Sequence, residues 1–143
     1  MNWILVASLS SILFGLYNFF LKYSADKIHP VLATLVLTMS AAIVSLIALI
    51  ILKITGAVPS FDWTRDGLKF AILSGVASGL GEILFFYLFS KGSPIIIGLP
   101  FVFALTVLTG VFLGIIILHE PINLPKIIGI IFTLIGVIIL SRF

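Results

Sequence analysis

The sequence predicts an all-α integral membrane protein with five transmembrane helices. Of its 143 residues, 62% are hydrophobic and 9% are charged, whereas soluble domains carry about 25% charged residues. The charged residues lie almost entirely in or beside four short breaks. The apolar runs between these breaks reach the ~20 residues that cross a bilayer core of ~30 Å. Because open strands cannot face lipid, we predict that these runs are helices.

The five helices are predicted, in chain order, at about residues 2–21, 31–54, 67–90, 95–118 and 124–141. The breaks read "KYSADKIHP", "TGAVPSFDWTRD", "KGSP" and "HEPINLP". Each break combines proline or glycine with polar residues, a combination that ends helices. Trp3, Tyr23 and Trp63 lie near the predicted helix ends, where aromatic belts form at membrane surfaces. We therefore expect residues 1–143 to form a single membrane domain.

Several functional classes are not expected from this composition. The chain has no cysteine, so disulfides and thiol chemistry are not predicted. The net charge of +3 is spread over the loops and forms no run that would bind nucleic acid. A removable signal peptide is not expected, because no basic region precedes the first apolar run. His29 and His119 have no second ligand at metal spacing, so neither a metal nor a cofactor is predicted. No catalytic constellation lies at membrane depth, so the protein is not expected to be an enzyme.

The loop charges leave the orientation in the membrane open. Five helices place the two termini on opposite sides of the membrane. The side of the N-terminus then carries Lys53, Arg65, Lys69 and Lys126, and the other side carries Lys22, Lys27, Lys91 and Arg142. Orientation normally follows an excess of Lys and Arg on the cytoplasmic side, and this sequence has no excess. Either one charge near the first helix, or the N-terminal amine, decides the orientation, or copies insert both ways and pair antiparallel.

Small and polar residues recur at helical spacing on the predicted helices. In helix 1 this face contains Ser8, Ser11, Gly15, Asn18 and Lys22, and in helix 3 it contains Gly75, Gly79, Glu82, Phe86 and Phe89. Small residues at this spacing allow helix backbones to approach closely. We therefore predict helix packing at Gly75, Gly79, Gly110, Gly114, Gly129 and Gly136.

Glu82 is the charged side chain that lies deepest inside a predicted span. At 1.5 Å per residue it is about 4–5 Å from the membrane midplane, where an acidic residue costs about 3 kcal/mol. Such residues usually face a cavity and mark proton or substrate paths. In the functional interpretation, Glu82 is a proton or cation site. Asn18 then orients the carboxylate, and Phe86 forms a wall of the site. Alternatively, a protonated Glu82 hydrogen-bonds Asn18 or Ser78 and only joins helices.

Other residues near Glu82 complete the predicted site. Phe86 and Phe89 share its face, and Ser78 and Tyr17 are further candidates. A carboxylate flanked by aromatic rings suits an organic cation, because charge and cation–π attraction act together. Glu120 is interpreted as a turn residue, since Asn123 after it is predicted to cap helix 5 with Pro125 in the first turn.

Two stretches resemble a known family. They are "LFGLYNFFLKYSA" (13–25) and "FSKGSPIIIGLPFVFALTVLTGVFLGIIILHEPINLPKIIGIIFTLIGVIIL" (89–140). Their short hairpin, a span followed by the acidic Glu120 and a glycine-containing last helix resemble the EamA-type domain of the drug/metabolite transporter superfamily. Most members carry two such domains in inverted orientation. The resemblance therefore implies half of a ten-helix inverted-repeat transporter, with a path lined by the first four helices of each half and a peripheral fifth helix.

The sequence departs from its relatives at two functional positions. Helix 2 lacks the arginine often found in EamA-type domains. The related small multidrug resistance proteins work as pairs of short chains and carry an essential glutamate in their first helix. Here helix 1 contains Asn18, and the acid is in helix 3. The role expected for Glu82 therefore rests on its depth and chemistry.

The resemblance and the charge balance together indicate a function. We expect a secondary transporter of a small organic solute or metabolite, working by alternating access in a prokaryotic cell membrane. Transporters built from inverted repeats place their sites near the midplane at the repeat interface, and two antiparallel copies of this chain would provide such an interface. A pair with a second small chain is the competing assembly. The alternative function is a non-transporting membrane subunit that packs against another membrane protein.

Overall fold

The computed structural model describes residues 2–57 and 64–142, with side chains described as far as residue 140. Trp63, predicted at a membrane surface, lies outside this part of the chain. The described residues form five helices and no strand, so the predicted all-helical fold is confirmed. The helices are α1 (Trp3–Ala25), α2 (Pro30–Ile54), α3 (Arg65–Ser90), α4 (Ile95–Ile116) and α5 (Leu124–Arg142).

Four of these helices have the length and composition of membrane spans. They are α1, α2, α3 and α4, whose lengths run from 22 to 26 residues. Helix α5 contributes a shorter apolar segment, Leu124–Leu140. Because about 17 residues is the lower end of the spanning range, a crossing by α5 stays a prediction. The chain is a multi-pass membrane protein.

The helix ends differ from the predicted ones for local reasons. Helix α1 continues to Ala25, four residues beyond its predicted end, because the chain meets no helix breaker until Pro30 at the start of α2. Helix α3 begins earlier than predicted, at Arg65. The Thr64 hydroxyl accepts a hydrogen bond from the Gly67 N–H at 3.0 Å, which is the geometry of an N-cap.

The turn between α4 and α5 is fixed by His119. This residue has φ 53°, in the left-handed region that histidine enters more readily than most residues. The Glu120 N–H then donates to the Gly114 carbonyl at 3.1 Å. Asn123 Oδ1 accepts from the Lys126 N–H at 3.2 Å, so the predicted cap of α5 is confirmed. The turn thus sets Glu120 against the end of α4.

The helices group into two compact units. Unit 1 contains the first part of α1, up to Phe19, together with α4 and α5. Unit 2 contains the rest of α1, from Phe20, together with α2 and α3. Within unit 1, α4 packs against α5, and within unit 2, α2 packs against α3. Most large apolar side chains on both units are exposed, as expected where lipid is the surrounding medium.

The six glycines predicted to pack helices differ in whether another residue lies close to them. A Cβ added at Gly114 would lie 3.4 Å from Glu120 Oε2, so the carboxylate rests against this glycine. For the others, an added Cβ would meet open space in the described part of the chain; they are Gly75, Gly79, Gly110, Gly129 and Gly136. Packing through these five stays a prediction.

Candidate functional site

Helix α3 presents two contrasting faces near its C-terminal end. Phe86 and Phe89 are 3% and 0% exposed, whereas Leu80 and Leu84 on the other side are 61% and 68% exposed. Glu82 is half-buried between these extremes, one turn before Phe86. The carboxylate therefore lies at the edge of the buried phenylalanine face, inside a helix that is apolar enough to span a membrane.

The predicted inward face of α3 does not extend to its N-terminal half. Gly75 and Ser78 are exposed, and Gly79 is half-buried. The transition from exposed to buried thus falls close to Glu82. Of Gly75, Ser78 and Gly79, only Gly79 is partly enclosed.

Asn18 on α1 is a buried amide with an unsatisfied acceptor. It is 3% exposed, and its Nδ2 donates to the Phe14 carbonyl at 2.6 Å. Reversing the amide would set two oxygens against each other, so this bond fixes its orientation. Asn18 Oδ1 is buried and accepts no hydrogen bond from the described residues. A buried unpaired acceptor costs about 1–3 kcal/mol, and it is suited to receive an O–H or N–H donor.

Tyr17, the neighbour of Asn18, is half-buried. Its ring meets the ring of Phe14 edge to face, with the centroids 6.2 Å apart. Tyr17 and Asn18 belong to unit 1, whereas Glu82, Phe86 and Phe89 belong to unit 2. The predicted hydrogen bond between Asn18 and Glu82 therefore stays a prediction.

Lys22, on the polar face of α1, makes a contact that sequence reasoning missed. It lies in the last turn of α1 and is half-buried. Its Nζ donates to the Phe89 carbonyl at 3.1 Å and lies 5.5 Å from the centroid of the Phe89 ring. The ring of Phe89 also packs against that of Phe85, with 5.0 Å between centroids. Lys22 thus caps the C-terminal end of α3, where a cation is favoured by the helix dipole.

A sequence signal for Lys22 existed. It follows Asn18 by four residues on the polar face of α1, one helical turn away. The spacing places Lys22 at the end of this face, although the predicted helix ends at about residue 21 and Lys22 is also counted with the loop charges. Its contact with another helix was not predicted.

We expect Lys22→Met to destabilise the protein by about 1.5–3 kcal/mol, because the Phe89 carbonyl loses a charged hydrogen-bond donor. Methionine keeps most of the apolar stem, so the loss is assigned to the ammonium group. Thermal unfolding in detergent measures the effect. Lys53→Met, at an exposed lysine in the last turn of α2, is the matched control. Equal melting temperatures for the two variants would contradict this role.

Comparisons with known proteins give the same family that the residues resemble. The sequence matches the EamA-like transporter family over residues 1–142. It is also similar to an uncharacterized protein of Methanocaldococcus jannaschii, with 31% identity over 138 residues that cover 96% of this chain and 95% of the relative. No solved structure matches the chain. The match extends over all five helices, and the chain belongs to the EamA-like transporter family of the drug/metabolite transporter superfamily.

Proposed function

We propose that this protein is a secondary transporter of a small organic solute, working by alternating access with Glu82 as its proton or cation site. The observation that carries the proposal is a half-buried carboxylate within a spanning helix of a transporter-family chain. An acidic residue at membrane depth is energetically costly, and such residues usually mark proton or substrate paths.

The chemistry of Glu82 supports a coupled exchange. A carboxylate among apolar groups is stabilised when either a proton or a cationic group neutralises it. The two occupants compete for one site, so release of the proton accompanies binding of the solute. An aromatic ring beside a carboxylate favours a solute with an organic cation. Phe86 is the candidate ring, because Lys22 already lies over the ring of Phe89.

Asn18 is proposed to bind a donor group of the solute. Its Oδ1 is a fixed acceptor, because Nδ2 is already held by the Phe14 carbonyl. We assign to it the recognition of a hydroxyl or N–H donor during transport. A double-mutant cycle of Asn18→Ala with Glu82→Gln tests whether the two residues act together, since independent sites give additive effects.

The assembly we propose is an antiparallel homodimer. Two features support it: the equal Lys and Arg counts on the two sides of the predicted spans, and the five glycines at which an added Cβ would meet open space in the described part of the chain. A second, inverted copy would supply the repeat interface at which such transporters bind solute.

Dual orientation is testable with reporters fused to the C-terminus, one active only inside the cell and one only outside. We expect activity from both reporters, because the charges give neither orientation an advantage. Adding one lysine to the break between α1 and α2 should shift the activity toward one reporter. Activity from a single reporter in the unmodified chain would contradict dual topology. The remaining assembly would then be a pair formed by this chain and a different small chain.

The alternative of a non-transporting subunit is favoured by the open space beside the five glycines. In that case Glu82 would only join helices. Glu82→Gln would then leave assembly unchanged, whereas Glu82→Leu would disrupt it. Thermal-shift screening against metabolites and organic cations at two pH values separates the two functions. A transporter is stabilised by its solute to an extent that depends on pH, whereas a subunit is stabilised by none of the compounds.

A further inference from the structure

A cavity of about 370 Å³ lies between α4 and α5 in unit 1. Val111, Ile115 and Ile130 form its apolar wall, and Thr133 lies farther along α5. Glu120 and Lys126 line the same cavity. Its volume falls within the ~300–1,000 Å³ of small-ligand sites. Charges of both signs on an apolar cavity indicate a ligand with two charges and an apolar part.

The two charged groups are held apart from each other. Glu120 lies against Gly114, and Lys126 Nζ donates to the Pro121 carbonyl at 2.9 Å. Glu120 and Lys126 do not form a salt bridge with each other in the described ranges, where a salt bridge is found between Lys69 and Asp66. Glu120 and Lys126 therefore both keep capacity for a ligand of opposite charge.

The helix ends reinforce this separation of charge. Glu120 follows the C-terminal end of α4, where the helix dipole is negative and favours a cation. Lys126 lies in the first turn of α5, where the dipole is positive and favours an anion. A zwitterion would thus bind in one direction, with its cation at Glu120 and its anion at Lys126.

The apolar part of the site continues along α4. A second groove, lined by Leu108, Thr109 and Phe112, shares Val111 and Ile115 with the cavity. From Ile115 to Leu108 the groove runs about 10 Å along the helix, at 1.5 Å per residue. Phe112 in this groove is 62% exposed. The charged end of the cavity is therefore continuous with an exposed apolar track on a membrane span.

We propose that this site binds a phospholipid whose headgroup carries a primary amine, with the ammonium on Glu120, the phosphate on Lys126 and an acyl chain on α4. A primary ammonium donates hydrogen bonds to a carboxylate, which a quaternary ammonium lacks the N–H groups to do. An anionic headgroup without an amine meets repulsion from Glu120. A soluble zwitterion leaves the apolar track unused. The inference is independent of transport, because it uses neither Glu82 nor Asn18.

The test compares lipids added to the purified protein in detergent. Thermal unfolding is followed with dioleoyl phosphatidylethanolamine, phosphatidylcholine or phosphatidylglycerol, since preferential binding to the folded state raises the melting temperature. Glycerophosphoethanolamine, the headgroup without acyl chains, is the fourth probe. We expect the largest rise with phosphatidylethanolamine and little with the headgroup alone.

Charge variants assign the binding to the cavity. Glu120→Gln should weaken the apparent affinity for phosphatidylethanolamine by at least about tenfold, the loss of a charged hydrogen bond, and shift the preference toward phosphatidylglycerol. Lys126→Gln should weaken binding of both lipids. The double variant Asp66→Asn with Lys69→Gln, at an exposed ion pair outside the cavity, should respond like the wild type.

Two results would overturn the proposal. One is an unchanged lipid preference in a folded Glu120→Gln variant, which would place the binding elsewhere. The other is a response to glycerophosphoethanolamine equal to that of the whole lipid, which would identify a soluble ligand. If Glu120→Gln does not fold, Lys126→Gln provides the same decision, because unchanged binding of both lipids would again exclude this cavity.

Discussion

Replacing Glu82 with glutamine is expected to abolish coupled transport while the protein stays folded. Glutamine keeps the shape and hydrogen-bonding capacity of the side chain but neither takes up a proton nor balances a cation. A charged hydrogen bond contributes about 1.5–3 kcal/mol, so its loss lowers the rate by about 10- to 100-fold. The effect should appear both in solute uptake and in the proton movement that accompanies it.

The measurement uses proteoliposomes that contain a pH-sensitive dye. Addition of a solute found by thermal-shift screening should produce a dye signal with the wild type and none with Glu82→Gln. Asp66→Asn is the matched control, since Asp66 is an exposed carboxylate in the first turn of the same helix. Equal dye signals and uptake rates for Glu82→Gln and the wild type would refute the role of Glu82.

Phe89→Ala is expected to cause the largest loss of stability in unit 2, about 3 kcal/mol. Phe89 is 0% exposed, its ring packs on that of Phe85, and Lys22 lies over it. Removing the ring leaves a cavity and takes away the surface that the Lys22 side chain covers. Because lipid is itself apolar, the loss arises from packing and not from exposure to water.

Phe70→Ala is the control for this prediction. Phe70 is on the same helix but is 71% exposed, so its truncation removes few contacts within the chain. Thermal unfolding of both variants in the same detergent gives the comparison. Should Phe89→Ala and Phe70→Ala unfold at the same temperature, the buried face of α3 would not stabilise the fold as described.

The sequence was sufficient to predict the helical membrane fold. Helix order and type follow from apolar runs whose lengths are set by the bilayer, and the breaks contain residues that end helices. Helix ends were less accurate because a break contains several residues that tolerate helix. The residues from Lys22 to Ala25 belong to α1, beyond the predicted helix end at about residue 21. Lys22 was recognised on the polar face of this helix, but its contact with Phe89 was not predicted.

The packing of the helices was harder to predict than their order. In lipid no hydrophobic force distinguishes a packed face from an exposed one, so an apolar residue at helical spacing does not reveal its surroundings. Gly75 and Ser78 continue the face of Glu82 in sequence and yet are exposed. Asn18 is a candidate from its polarity within an apolar run, whereas its unpaired Oδ1 is visible only in the structure.

Solute uptake by the purified chain alone is the measurement that tests the central claim most directly. Proteoliposomes containing only this protein should accumulate a stabilising solute when a pH gradient is imposed. The accumulation should collapse when the gradient is removed, and it should be absent with Glu82→Gln. A solute that stabilises the protein but enters these vesicles no faster than protein-free ones would contradict the account and favour the non-transporting subunit.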